Sequence, residues 1–249
     1  MNILLTGSEG FIGKHLQRFL KKQKHSVMCW DNKLGKRLSD LTLRSNPIWD
    51  KPYKIDYIIH LAAHAGVKES VKNPETYWQN NTLLSKELFD IAWEKDIPLM
   101  YASSSCAKHW WLSPYGASKK AMETCSYEGQ IGLRFSTVYG DGAREDMFIS
   151  KCKSKTLEYY TDQRRDFIHV NDVVSAIDYV MNYHRDGPEI YEIGLGNLYR
   201  IQDIAKMCTQ EAELKKAMWC EAENNLADNK AIKELGWKPK ENLLEYLGI

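Results

Sequence analysis

No apolar run in the 249-residue sequence approaches the roughly 20 residues that a membrane helix needs, and no signal peptide precedes the first hydrophobic stretch. The expectation is a soluble, cytoplasmic protein without a membrane partner. Charge of one sign is not in excess either: 34 Lys and Arg face 33 Asp and Glu, so no global field recruits nucleic acid. The six cysteines form no Cys-x-x-Cys pair, which excludes a zinc site of that type and suits reduced thiols rather than a disulfide framework. The seven histidines lack metal-ligand spacing, and no metal is expected. His60, His64 and His169 fall in apolar segments where packing is the ordinary role. No repeat, low-complexity tract or Pro/Ser-rich linker divides the chain.

What the sequence does contain is alternation. Residues 2–6, NILLT, form a short apolar run followed by GSEGFIG and then by KHLQRFLKKQ with helical periodicity, which reads as strand, glycine turn and helix. Gly7, Gly10 and Gly13 lie three apart. The first permits a tight turn, the second lets backbone approach a pyrophosphate, and the third allows the helix to pack closely on the strand. The helix N-terminus then faces phosphate charge. The next strand, HSVMCWD, ends at Asp31, near the spacing at which an acid binds the adenosine ribose hydroxyls and repels a 2′-phosphate, which favours NAD over NADP. DYIIHLAA at 56–63 and DIPLMYASSS at 96–105 read as buried parallel strands separated by a helical stretch from Pro74 to Lys95, and QIGLRFSTVYG supplies a further strand. Such alternation defines an α/β chain with a doubly wound parallel sheet. Residues 1–140, with a contribution from 165–195, form the nucleotide-binding part in this reading; 141–164 and 196–249 form a small substrate lobe.

Chemistry concentrates in SSSCAKHWWLSPYGASK, residues 103–119. Ser113 is a good N-cap and Pro114 a good first helical residue, so Tyr115 falls in the first turn and Lys119 one turn later on the same face. A phenol titrates near pH 10 (a reference value) and is a poor base at neutrality, but an adjacent ammonium and a helix N-terminus both favour the phenolate. Ligands of doubly wound sheets bind beyond the carboxyl ends of the strands, where both the glycine turn and Ser103 to Ser105 fall.

Together these motifs resemble the extended short-chain dehydrogenase/reductase family, in its NAD-dependent epimerase/dehydratase branch, which acts on nucleotide sugars. The likeness covers nearly the whole chain: GxxGFIG at 7–13, the ribose acid at Asp31, HLAA at 60–63, ESVKNPETYWQNN at 69–81, Tyr115-x-x-x-Lys119, RDFIHVNDVV at 165–174, and YEIGLGN with ADNKAIKELGWKPK. It implies a Rossmann domain with a small C-terminal substrate-binding lobe and NAD as cofactor. Gly7, Gly10, Phe11, Ile12, Gly13, Asp31 and Asn32 would hold the dinucleotide, with Asp40 and Leu41 at the adenine and Leu61, Ala62 and Ala63 along the pyrophosphate and nicotinamide ribose. Asn80 and Ser136 complete the cofactor contacts. The apolar members of that set have core packing as an equal reading.

The resemblance further implies a nucleotide-diphosphate sugar as substrate, epimerised at sugar carbon 4 through a transient keto sugar. Tyr115 is the acid/base, Lys119 its electrostatic partner, and Ser105 the hydroxyl that bonds the reacting oxygen, with Ser104 the other choice. Thr137 stands where many members carry a substrate-binding Asn, and no Arg falls in CEAENNLAD, leaving Arg165, with Arg144 or Arg164, for the diphosphate. Cys106 and Ala107 replace the Asp-Glu of dehydratases, and residues 141–155 lack the His of fucose-synthase-like reductases. A reductase or dehydratase, and a non-catalytic NAD-binding regulator, are the competing readings. The link from Ser105 to Tyr115 is shorter than usual and lacks Val-Tyr-Gly; its Trp110 and Trp111 are expected to pack. The helices at 75–95 and 114–128 resemble those with which members of the family form homodimers.

Overall fold

The computed structural model describes residues 1–50, 54–184, 187, 189–209 and 211–249. Strand β1 (Asn2–Thr6) is buried at four of its five positions, as a strand covered on both faces must be. It lies between β2 (Ser26–Trp30) and β3 (Tyr57–His60), parallel to both, with Leu4 opposite Met28 on one side and Ile58 on the other. β3 runs parallel to β4 (Leu99–Ser104), and β5 (Ile131–Phe135) follows outward. The sheet has six strands in the order β2-β1-β3-β4-β5-β10, where β10 is Ile190–Ile193. The order reverses between β1 and β3, and such a switch point leaves a crevice at the carboxyl ends of the strands.

Two compact units divide the chain. The first holds Met1–Arg134 with Pro188–Ile190, the second Phe135–Gly187 and Tyr191–Ile249. Leu4, Ile58, Phe89, Leu99, Tyr101 and Met122 centre the first core. Tyr139, Ile149, Phe167, Ile204 and Leu243 centre the second, where most of the segment 165–195 belongs.

Two segments depart from the periodicity reading. QIGLRFSTVYG is not one strand but two, because after β5 the backbone N–H of Ser136 donates to the Ile193 carbonyl, and Thr137–Tyr139 (β6) leaves the sheet. Beyond the short strands β7 (Tyr159–Tyr160) and β8 (Arg164–Arg165), β6 finds its parallel partner in β9 (Phe167–His169). The helical stretch from Pro74 is also interrupted. Pro74–Trp78 and Leu84–Glu94 are α-helical, but Gln79–Leu83 between them winds as a π-helix, a local widening that turns the following side chains. Among the described residues no helix is long and apolar enough to cross a membrane, and no cluster of His, Cys, Asp and Glu has the makings of a metal site.

Candidate active site

The turn after β1 is built by steric exclusion. Gly7 has φ +68°, and a Cβ there would stand 2.7 Å from the Ala62 nitrogen; a Cβ on Gly13 would stand 2.1 Å from the Gly7 carbonyl oxygen. Only bare backbone fits, so helix Phe11–Lys22 packs directly against its own entry turn. Gly10 is its N-cap and offers no side chain, so the N–H groups of the first turn, at Phe11 and Ile12, receive no side-chain cap among the described residues. Ser8 beside them is fully buried, and its hydroxyl has no partner among the described residues. Asp31 closes the far side: one carboxylate oxygen accepts from the Glu9 N–H at 3.0 Å and the other from the Lys33 N–H at 2.9 Å, leaving further lone pairs on both. An uncapped helix start, an orphaned hydroxyl and a half-satisfied carboxylate suit the pyrophosphate and ribose of a dinucleotide. Asn32 and Asp40 are exposed, whereas Leu41 is fully buried in the core.

Behind this turn runs a buried hydrogen-bond relay. The Ala62 N–H donates to the Thr6 hydroxyl at 3.2 Å; because Ser85 spends its one proton on the Asn80 carbonyl, neutral His60 carries its proton on Nε2, and its Nδ1 accepts from Thr6 at 2.7 Å. His60 Nε2 then donates to the Ser85 hydroxyl at 2.9 Å, which donates to the Asn80 carbonyl. Burial, assisted by the nearby Lys119 charge, lowers the His60 pKa to about 3, so the ring stays neutral and the relay keeps one direction. Leu61, Ala62 and Ala63 follow β3 as half-buried backbone beside the glycine turn. Asn80 is half-buried, but its neighbour Asn81 is fully buried, accepting from the His64 N–H at 2.8 Å and donating to the His64 carbonyl and the Ser118 hydroxyl. The sequence reading passed over Asn81. The signal was there, since Asn81, Ser85, Leu88 and Ala92 recur on one helical face and are all buried.

At the end of β4, Ser113 accepts from the Gly116 N–H at 3.1 Å and starts helix Pro114–Thr124, as its sequence indicates. Tyr115 is half-buried, its ring edge-on to Tyr77 at 6.0 Å. Lys119 is 2 % exposed, and its ammonium donates to the Ala102 carbonyl at 2.6 Å. Burial pushes its pKa down to about 7, partly opposed by Glu123 one turn on. The three serines differ in use. Ser103 donates to Glu123, and Ser104 accepts from the Cys106 N–H as the cap of the following turn. Ser105 lies two residues beyond Ser103 and is buried. The backbone leaves β4 at Ser104, and Ser105 is the first residue of the tight turns that follow, so strand alternation does not set the direction of its side chain.

The link itself, Ser105–Leu112, winds as tight turns against the helix; a Cβ on Gly116 would stand 2.8 Å from the Cys106 carbonyl oxygen. Trp110 and Trp111 do not pack into the core. They are 49 % and 62 % exposed and meet each other edge-to-face at 6.1 Å, because a link this short lies flat on the helix and leaves both indoles outside.

The second unit carries the remaining candidates. Ser136 is buried with its hydroxyl unpartnered among the described residues. The Thr137 hydroxyl accepts from the Asn225 amide at 3.1 Å, and Asn225 in turn accepts from the Asp166 N–H at 2.7 Å. Asp166, fully buried, takes the N–H groups of Leu195, Gly196 and Ala227 and so ties three chain segments together. Arg165 donates to the carbonyls of Arg164 and Ala222, and exposed Arg144 pairs with Asp146 at 3.1 Å. Neither Asp166 nor Asn225 was singled out from sequence.

A doubly wound sheet with a glycine turn, a ribose acid and a Tyr-x-x-x-Lys helix defines a dinucleotide-dependent enzyme of short-chain dehydrogenase type. The model of the NAD dependent epimerase/dehydratase family matches residues 3–109 and 111–194, and the chain belongs to that family. It is 31 % identical to an uncharacterised protein of Methanocaldococcus jannaschii, over 99 % of this chain and 94 % of that one. It is 30 % identical to a UDP-glucuronate 4-epimerase of Thermodesulfobacterium geofontis, over 98 % and 93 %. The first of these alignments runs over 311 positions against 249 residues, so this chain is the shorter by internal stretches. Among solved structures it resembles MoeE5 in complex with UDP-glucose and NAD, with a TM-score of 0.86 at 26 % identity, covering 100 % of this chain and 96 % of the other. The Bacillus cereus UDP-glucuronic acid 4-epimerase in complex with UDP-glucuronic acid and NAD gives 0.83 at 25 %, covering 100 % and 97 %.

Proposed function

We propose that the protein is an NAD-dependent epimerase of UDP-sugars that inverts sugar carbon 4. The observation that carries this reading is the pair Tyr115 and Lys119 on one face of a capped helix, with the lysine buried against β4 and Ser105 at the strand's end. Tyr115 takes the proton of the sugar hydroxyl and later returns it, with the Lys119 ammonium one turn away on the same helix face as its electrostatic partner. Ser105 bonds the same sugar oxygen while its charge changes. Lys119 would also hold the nicotinamide ribose of bound NAD, and Asp31 would hold the adenosine ribose diol. NAD, when bound, accepts hydride from the sugar carbon and gives it back, so the cofactor is regenerated in each turnover. UDP is favoured as the nucleotide because the named relatives and ligand-bound neighbours carry UDP-sugars.

The same reading includes a homodimer in the cytoplasm, formed through the outer face of helices Pro74–Trp78, Leu84–Glu94 and Pro114–Thr124. Trp78 and Leu83, at the ends of the first helix and of the π turn after it, are large apolar side chains left exposed, and the six cysteines are all free thiols. Sedimentation as a monomer at micromolar concentration overturns the dimer. For the reaction, incubation with UDP-glucose, UDP-galactose, UDP-glucuronate and their GDP and dTDP counterparts, followed by sugar analysis, is expected to give a carbon-4 epimer without net change in NADH absorbance. Net oxidation of NADH with turnover marks a reductase and overturns the epimerase; no conversion of any sugar overturns the enzyme.

A further inference from the structure

We propose that Glu123 is a positioning residue for the acid/base pair: held by Ser103 and Arg134, it fixes the face of the helix that carries Tyr115 and Lys119 against β4. The proposal rests on the reading of Tyr115 as the base. Tyr115, Lys119 and Glu123 are spaced by four and share one face of helix Pro114–Thr124. Consecutive residues of β4 grip consecutive turns of that face, the Ala102 carbonyl taking the Lys119 ammonium at 2.6 Å and the Ser103 hydroxyl donating to Glu123 Oε1 at 2.5 Å. From β5, Arg134 forks onto both carboxylate oxygens, at 2.8 and 2.7 Å.

The side chain of Glu123 is 3 % exposed, and a carboxylate is buried at such depth only when paired and hydrogen-bonded. A pin for the fold alone would need no placement one turn from a buried ammonium. Here the carboxylate lies where it favours the charged form of Lys119, against the cost of burial. The other groups facing this region are Lys120 at 3.7 Å from Glu123, neutral His60 behind Lys119, and Tyr101 on β4, whose hydroxyl donates to Ser126 and which feels Glu189 before β10. Glu123 is the anion among these that favours a protonated Lys119, and a protonated Lys119 is what makes Tyr115 a base.

The test is an ultraviolet difference titration of tyrosinate, which needs no substrate, with Tyr115→Phe identifying the component that belongs to Tyr115. In Glu123→Gln that component is expected to move up, by about one pH unit, because Lys119 loses the anion that favours its charged form and the phenolate then loses its cation. The acidic limb of the rate profile moves with it. Ser103→Ala moves both in the same direction by less. The double variant Glu123→Gln/Arg134→Met removes both charges of the pair and is expected to regain thermal stability while keeping the displaced titration. A titration that stays at the wild-type position in Glu123→Gln, or returns there as stability returns, overturns the proposal and leaves Glu123 a pin of the fold. A wild type without any Tyr115-dependent component overturns the base assignment as well. Failure to turn over any sugar leaves this titration decisive.

Discussion

The turn after β1 leaves its helix start uncapped at Gly10, whereas the turn after β4 is capped twice, Ser104 onto Cys106 and Ser113 onto Gly116. Both open at the carboxyl end of one sheet, yet the first reserves its backbone for a ligand and the second satisfies its backbone and reserves its side chains. A phosphate can be held by N–H groups that any sequence provides, so what the first turn needs is the absence of Cβ atoms. Proton transfer needs a group that titrates, so in the proposed reading the second holds Tyr115, Lys119 and Ser105 by burial and packing.

The sharpest way to separate the two turns is Tyr115→Phe, expected to lower kcat by about 10² to 10⁴ while leaving NAD affinity intact by calorimetry, since the first turn is untouched. Next comes the serine pair. Ser105→Ala is expected to cost about 10² in kcat with little change in melting temperature, and Ser104→Ala to cost about 1 kcal/mol of stability with turnover largely kept. The reverse result would exchange their roles. Gly13→Ala strikes the other turn: with its Cβ 2.1 Å from the Gly7 oxygen the helix must shift, and about 1–3 kcal/mol of stability and most NAD affinity are expected to go.

A milder test is pH. Lys119 titrates at about 7 when folded against 10.5 as its ordinary value, so between these the unfolded chain binds the extra proton. The stability of the NAD-free protein should therefore rise with pH across that window, and Lys119→Met should flatten the rise in chemical denaturation. The smallest effect is at the exposed indoles. Trp110→Ser and Trp111→Ser are each expected to change stability by no more than about 0.5 kcal/mol, so a larger loss would mean that the link packs more tightly than its exposure indicates.

The same contrast explains what was legible in the sequence. The tight turn at Gly7, Gly10 and Gly13 and the place of Asp31 after β2 could be read from spacing because they are set by local backbone geometry, and the helix start at Ser113 and Pro114 for the same reason. Ser103, Ser104 and Ser105 could not be told apart, because their roles depend on which face of β4 meets Glu123 and Lys119, twenty and more residues apart from some of their partners. Asn80 and Asn81 are alike in composition and differ in rotation about a helix that widens into a π turn where they lie. Asp166 and Asn225 were hidden because their partners are backbone N–H groups of segments distant in sequence. Trp110 and Trp111 were read by residue type, which favours burial; the brevity of the link decided otherwise.

That brevity bears on how the protein acquires its structure. A chain closing from Ser105 onto a helix that begins at Pro114 pays little loop entropy, and each halving of such a connection saves about 0.6 kcal/mol. Gly116 admits the Cys106 carbonyl closely, and because this contact is local while the pairing of β1 with β3 is long-range, the link and the first helical turn are expected to form first. Amide exchange in the link is then expected to follow that of helix Pro114–Thr124, with strand and helix protected together, and the reactive end of β4 to be among the early ordered parts of the chain.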